Sequence, residues 1–251
     1  MLILTVIVFS PSTYSILAMS QVNEKVSKQI DDAIERMLER LKPSGWYSSF
    51  EFILDSTAFR DVLATLMHDV DLQHIFYPKM LHWFKTFEEC PFSVVRTIII
   101  SGLPPKHWRT AVGIPYNTID SRKSIVHDWF ERDIRESCGD KLYAVPTDLT
   151  KWTNQGLLFL PCALTNGFER DHFELWKPVM VEIVDMLSHK FPGIPWVLMG
   201  NKAKWFEDLI DGKILFRQQP LNSRNVPWEG KGMFHEINEI LLAQGKDDFI
   251  W

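Results

Sequence analysis

The stretch Ile98–His107, which reads IIISGLPPKH, decides how the fold of this chain is interpreted. Three consecutive isoleucines predict a buried strand, because β-branched side chains pack well on a pleated surface. Gly102 and the prolines that follow Ser101 are typical of a turn, so the strand should end there. We therefore expect a strand that delivers an irregular loop to one edge of a sheet.

Further apolar runs predict three more strands, and amphipathic stretches between them predict helices. The strands are expected at 94–101, 157–161, 195–200 and 214–217. The helices are expected at 22–41, 124–137, 173–189, 202–209 and 232–243. Helices between successive strands are what parallel strands require, so the sequence predicts a three-layer α/β/α sandwich around a central four-stranded parallel sheet. The loops after the four strands should then converge beyond the carboxyl edge of that sheet.

Composition indicates one globular domain. Its overall charge is not that of a protein that binds polyanions by general electrostatic attraction. The chain has 251 residues, is 46% hydrophobic and carries a net charge of −5. An acidic chain of this kind has to make any phosphate contacts locally. Its three cysteines, Cys90, Cys138 and Cys162, lie far apart without metal-ligand spacing, so we expect reduced thiols, no metal and no cofactor.

Residues 1–19 form an apolar extension, which we separate from a single domain at 20–251. No Lys or Arg precedes this segment, and Pro11 and several hydroxyl side chains interrupt it. It therefore fits neither a secretory signal nor a membrane helix of about 20 apolar residues. A true start at Met19, a flexible tail and a weak signal peptide remain open, and we expect no membrane association.

Several short fragments of the chain carry a family resemblance through their order and spacing. Residues 152–160 read WTNQGLLFL, which resembles the Trp-x-x-Gln-Gly-Val-Leu-Leu-Leu segment of the uracil-DNA glycosylase family. Gly102, Pro105 and His107 match its first active-site motif, Gly-Gln-Asp-Pro-Tyr-His. Weaker matches are Tyr77–Pro78, Leu198–Gly200 and Asp248–Trp251. The chain thus resembles family 1 of the uracil-DNA glycosylase superfamily, which implies the α/β/α fold, DNA as a partner, base flipping and a role in DNA repair.

The residues that would carry the family's chemistry are replaced. By the resemblance, Pro104 stands in place of the water-orienting aspartate and Lys106 in place of the tyrosine that excludes thymine. Pro161 replaces the asparagine that reads uracil, and Arg217 replaces the histidine that stabilises the departing base. A proline ring can neither orient a water nor stabilise a developing positive charge, and it offers no donor to a base edge. We therefore expect that uracil excision has been lost.

The same resemblance implies residues for DNA binding. Leu221 matches the apolar wedge that enters the duplex, and Tyr116 matches the aromatic side chain that stacks on a flipped base. Ser124 stands where the family contacts a phosphate through a hydroxyl. Further candidates on these loops are Arg122, Lys123, Gln219, Asn222, Ser223 and Arg224. Trp108 and Trp228 flank these loops and are additional candidates for base contact.

Two functions remain open on the sequence. The first is non-catalytic binding to DNA, or to a protein partner such as a replication or repair component or a glycosylase inhibitor. The second is an active DNA N-glycosylase with altered specificity for a modified base, in which Lys106, His107 and Arg217 form a cationic pocket. Residues 102–105 also resemble a branch of the superfamily that uses an iron–sulfur cluster, but the histidine and the cysteine spacing of that branch are missing. Either function implies an intracellular location where DNA is present, the bacterial cytoplasm or the nucleus.

Overall fold

The computed structural model describes residues 11–119, 123–138, 145–221 and 225–251, with side chains from Glu24 onward. The described α-helices are α1 (Pro11–Leu41), α2 (Tyr47–Asp55), α3 (Thr57–Asp71), α4 (Lys85–Glu89), α5 (Ile125–Cys138), α6 (Thr150–Thr153), α7 (Phe173–Lys190), α8 (Gly200–Lys204) and α9 (Met233–Ala243). The described strands are β1 (Phe76–Tyr77), β2 (Thr97–Ser101), β3 (Leu157–Pro161), β4 (Asn166–Gly167), β5 (Trp196–Met199) and β6 (Ile214–Arg217).

The main sheet has four parallel strands in the order β3-β2-β5-β6. Strand β2 is flanked on both edges, because Ser101 pairs with Pro161 of β3 and Ile98 pairs with Trp196 of β5. The short strands β1 and β4 form a separate antiparallel pair. The predicted α/β fold with a central four-stranded parallel sheet is therefore confirmed.

Two apolar layers enclose the main sheet, and alternate strand residues point into each. Ile98 and Ile100 of β2 belong to the core formed with α1, α2, α3 and α7. Ile99 belongs to the opposite core, formed with α5, α9 and the terminal Trp251. Every residue of β2 is buried, and the chain leaves the regular strand only after Ser101.

The helical segment at 47–71 was not predicted. Ser56 separates its two helices, because its extended backbone ends α2 while its hydroxyl accepts a hydrogen bond from the Phe59 amide at 3.3 Å and caps α3. The helix predicted at 202–209 is instead the short α8 followed by a 3-10 turn at Glu207–Leu209. Strand β2 begins later than predicted, since a 3-10 turn occupies Phe92–Val94.

The first helix begins at Pro11, inside the segment that the sequence set apart from the domain. Residues 1–10 of that segment lie outside the described part of the chain. None of the described helices combines the length and the hydropathy that a membrane crossing needs.

Trp46 should be among the strongest single contributors to stability. It is fully buried, donates its indole N–H to the Cys90 carbonyl at 2.7 Å and packs edge-on against Phe87 and Phe92. Trp46→Ala is expected to lower the free energy of unfolding, measured by urea denaturation, by about 3–5 kcal/mol. Phe52→Ala, at a side chain that is 81% exposed, should change it by less than about 0.5 kcal/mol. Equal effects of the two substitutions would contradict this packing.

Candidate functional site

A cavity of about 330 Å³ opens at the carboxyl edge of the main sheet. Ser101 at the end of β2, Pro161 at the end of β3 and Gln219 beyond β6 all contribute to its wall. Parallel strands bring their carboxyl ends to one edge, and this is where α/β proteins bind ligands. The cavity is therefore the candidate ligand site of this fold.

The wall of this cavity is uncharged over the residues that the structure describes. Apart from Tyr116, no described side chain that lines it carries an ionisable group. Burial raises the pKa of Tyr116 above its ordinary value of 10.0, so its side chain is a neutral phenol. Six of the lining residues are prolines: Pro78, Pro104, Pro105, Pro115, Pro161 and Pro220. Because proline lacks an N–H, these six backbone positions offer a ligand no hydrogen-bond donor.

Gln219 joins the loop after β2 to the loop after β6. Its Oε1 accepts a hydrogen bond from the Gly102 amide at 2.8 Å and lies 3.2 Å from the Tyr116 hydroxyl. A Cβ at Gly102 would approach Gln219 Cδ to 3.1 Å, and a Cβ at Gly200 would approach Gln219 Cβ to 3.1 Å. Glycine at both positions thus lets the amide reach the centre of the carboxyl edge.

Tyr116 reaches into the same network from the loop before α5. Its backbone has a φ of +67°, a left-handed conformation that is rare for a bulky residue. Its ring packs edge-on against Phe130 at 5.3 Å and Phe159 at 6.2 Å, and its hydroxyl lies 3.0 Å from Met199 Sδ. Core packing therefore holds the strained backbone and fixes one side of the cavity.

Two other polar residues of the wall use their polar groups within the protein. Asn117 donates to Asp148 at 3.1 Å and accepts from the Leu149 amide at 3.3 Å. The Ser124 hydroxyl lies 2.8 Å from Nδ1 of His127, a fully buried side chain on α5. Both residues brace the loops around the cavity.

Lys106 and His107, two candidates for a cationic pocket, do not line the cavity. The Lys106 ammonium lies over the Phe168 ring, 5.9 Å from its centroid. His107 is exposed and stacks on Trp108 at 6.0 Å. The Pro104 carbonyl of this loop accepts a hydrogen bond from the side-chain amide of Asn166 on β4, at 2.8 Å.

Arg217, the third candidate, points away from the cavity. Its guanidinium donates to the Gly230 carbonyl at 2.8 Å and forms an ion pair with Glu236 of α9. The strand geometry explains this direction, because Leu215, two residues earlier on β6, faces the core that includes α9. The structure therefore does not bring Lys106, His107 and Arg217 together.

The remaining candidates differ in their positions. Leu221 lines the mouth of the cavity with 48% of its side chain exposed. Lys123 forms an ion pair with Glu131 of α5. The predicted base contact of Trp228 is wrong, because this side chain is 2% exposed and packs in the core against Phe130. Four candidates lie outside the described residues: Arg122, Asn222, Ser223 and Arg224.

Trp108 is 48% exposed and lines a second cavity, of about 870 Å³. The residues that form the wall between the two cavities include Ala111, Ile114 and Asn117. Neither this second cavity nor the Asn166 contact to Pro104 could be predicted from the sequence. Both depend on residues that are far apart along the chain.

The chain is similar in sequence to several uracil-DNA glycosylases, although no protein-family model matches it. The uracil-DNA glycosylase of Mycoplasmopsis pulmonis is 27% identical over 219 residues, which cover 84% of this chain and 98% of that protein. The enzyme of the same name from Wolinella succinogenes is 26% identical over 225 residues, covering 85% and 96%.

Solved structures agree with this relationship at the level of the fold. The mimivirus uracil-DNA glycosylase superposes with a TM-score of 0.72 at 16% identity, covering 85% of this chain and 88% of that one. A variant of the mimivirus protein in complex with UGI superposes with a TM-score of 0.68 and 16% identity, covering 85% of this chain and 90% of that one. The predicted relationship to the uracil-DNA glycosylase superfamily is therefore confirmed.

His127, which braces Ser124, should make the fold sensitive to acid. Burial lowers its pKa below the ordinary value of 6.5, with the Lys123 charge acting in the same direction. As the pH falls below 6.5 the unfolded chain binds a proton that the folded protein excludes, so the free energy of unfolding decreases. One such histidine contributes up to about 1.4 kcal/mol per pH unit.

Urea denaturation between pH 7.5 and 5.5 tests this contribution. His127→Gln should lose less stability over this interval than the unmodified protein. His189→Gln, at a side chain that is 76% exposed, is the matched control and should follow the unmodified protein. A His127→Gln profile parallel to that of the unmodified protein would refute the assignment.

Proposed function

We propose that this member of the uracil-DNA glycosylase superfamily binds DNA, inserts Leu221 into the duplex and holds an extruded base in its cavity without cleaving it. The observation that carries the proposal is the uncharged wall of the cavity, with an exposed leucine at its mouth. Such a site can bind a base, and its described lining holds none of the charged groups that glycosidic cleavage needs.

Cleavage of an N-glycosidic bond develops positive charge on the sugar and negative charge on the leaving base. Efficient catalysis places an anion near the sugar and a donor or cation near the base. Pro104 and Pro161 occupy the wall at the ends of β2 and β3 and supply neither group. Tyr116 is neutral, and the described cations of the site lie outside the lining. Binding without the chemical step is what these side chains favour.

DNA as the partner is supported by the loops around the cavity. Leu221 is a large apolar side chain that follows the buried Pro220 and projects beside the opening. The loop segment at 102–119 contains Lys106 and Arg109 and no carboxylate, although the whole chain is acidic. A local excess of cations beside an apolar wedge fits phosphate contacts combined with base extrusion.

The names of the relatives favour uracil excision, whereas the residues at the decisive positions of this chain do not. An active N-glycosylase directed at a modified base would need an ionisable group inside the cavity. Lys106 and His107 lie outside the lining of the cavity, so this alternative requires the loop after β2 to turn one of them inward. The complex of a mimivirus relative with UGI makes a glycosylase inhibitor a candidate protein partner. Action on DNA also implies an intracellular location.

A paired binding and cleavage assay separates these functions. Duplexes with uracil or thymine opposite adenine should bind, as measured by fluorescence anisotropy, and no alkali-labile abasic sites should accumulate above the protein-free background. Leu221→Ala should weaken binding about ten-fold or more, because the inserted apolar surface is lost. Leu242→Ala, at a side chain on α9 that is 57% exposed, is the matched control and should bind normally.

Each result bears on a different part of the proposal. Release of any base would overturn the non-catalytic role and support the altered glycosylase. Absence of binding to every duplex and single strand would overturn the DNA partner and leave a protein-binding role. If Leu221→Ala does not weaken DNA binding, the insertion of Leu221 into the duplex is overturned.

A further inference from the structure

The cavity leaves few side-chain donors for a ligand, because most of its polar groups are used within the protein. Ser101 donates to the Gly102 carbonyl at 3.3 Å, and Thr110 donates to the His107 carbonyl at 3.3 Å. Asn117 and Ser124 are engaged as described above. Nε2 of Gln219 is the side-chain donor of the wall that has no partner among the described residues.

Much of the rest of the wall is hydrocarbon. Leu164, Ile114 and Val126 line the cavity and are otherwise shielded from solvent, with exposures of 1%, 3% and 5%. The half-buried Leu103 adds a further apolar side chain from the loop after β2. An alkyl group that enters the cavity would therefore exchange water for apolar contacts.

The cavity has room for a substituted base. Its volume of about 330 Å³ lies at the lower end of the range of roughly 300–1,000 Å³ that is typical of small-molecule sites. Lys106 does not narrow it, because that side chain extends over Phe168 outside the lining.

From these observations we infer that the cavity selects a pyrimidine with an apolar 5-substituent, of which thymine is the simplest, through burial of the alkyl group. This inference rests on the proposed function, since the base has to be delivered from DNA. Each carbon buried should tighten binding by about four-fold. A hydroxyl at the same place should forfeit this gain, because a buried hydroxyl without a partner is unfavourable.

A series of oligonucleotides that differ in one 5-substituent tests the inference. The central nucleotide carries uracil, thymine, 5-ethyluracil or 5-hydroxymethyluracil opposite adenine, and Kd is measured by anisotropy. All four bases share one pairing edge, and single strands of the same sequences remove the contribution of base pairing altogether. Affinity should rise from uracil to thymine to 5-ethyluracil, and 5-hydroxymethyluracil should bind no better than uracil.

A matched pair of variants locates the effect in the cavity. Leu103→Asn adds a donor and an acceptor to a half-buried part of the wall, and it should reduce the difference between uracil and 5-ethyluracil to less than about three-fold. Leu81→Asn makes the same change at a side chain that is 59% exposed and does not line the cavity, so the preference should persist. Thermal unfolding of both variants verifies that they fold.

The possible failures are distinguishable. Equal affinity for the four bases, or tightest binding of 5-hydroxymethyluracil, would overturn the inference while DNA binding stands. A preference that persists unchanged in Leu103→Asn would overturn its assignment to this cavity. Failure to bind any of the oligonucleotides would overturn the proposed function itself.

Discussion

The parallel pairing of β2 with a strand on each side is the constraint on which the rest of the structure depends. Helices cover both faces of this strand, which is buried throughout its length, so the irregular loop begins only after Ser101. The neighbouring strands end at the same edge, so the loops after β3 and β6 arrive beside the loop after β2. The position of the cavity therefore follows from the sheet, and the loop residues decide only what the cavity can do. Because the sheet determines where the cavity lies, a chain with other residues on these loops would keep a cavity at the same edge.

Placing charged groups away from a closed cavity has a physical advantage. A buried charge is tolerated only with partners, and an unpaired one would destabilise the fold. Near the carboxyl edge, Arg217 is paired with Glu236, and Asp148 accepts hydrogen bonds from Asn117 and the Thr150 amide. The described wall consists of apolar side chains, backbone groups and neutral polar side chains, among them the network around Gln219. Such a site is preorganised for shape, whereas an enzyme that cleaves a glycosidic bond needs preorganised charge.

Local patterns sufficed for the strands but not for every helix. Leu157–Pro161 and Ile214–Arg217 occur where the sequence predicts them, because short apolar runs bounded by turn residues have few alternatives. The segment at 47–71 was missed because the break between its two helices depends on the cap at Ser56 and not on a glycine or proline. The start of β2 also depends on a contact within the fold. The backbone amides of Arg96 and Thr97 donate to the carbonyl of Gly156, a residue about 60 positions later. Contacts at that range leave no periodicity in the sequence.

The residues of the site likewise fall into those that local sequence could place and those whose position depends on distant contacts. Residues on the loops that the sheet positions, such as Pro104, Tyr116 and Leu221, could be assigned to the carboxyl edge from the sequence, and they line the cavity. The direction of Arg217 could not be assigned, because it depends on which face of β6 the residue occupies and on an acidic partner in α9. Leu221 lies on the loop after β6, whereas Pro104 and Pro161 lie at the ends of β2 and β3, so a change at either proline does not alter the residue at the mouth of the cavity.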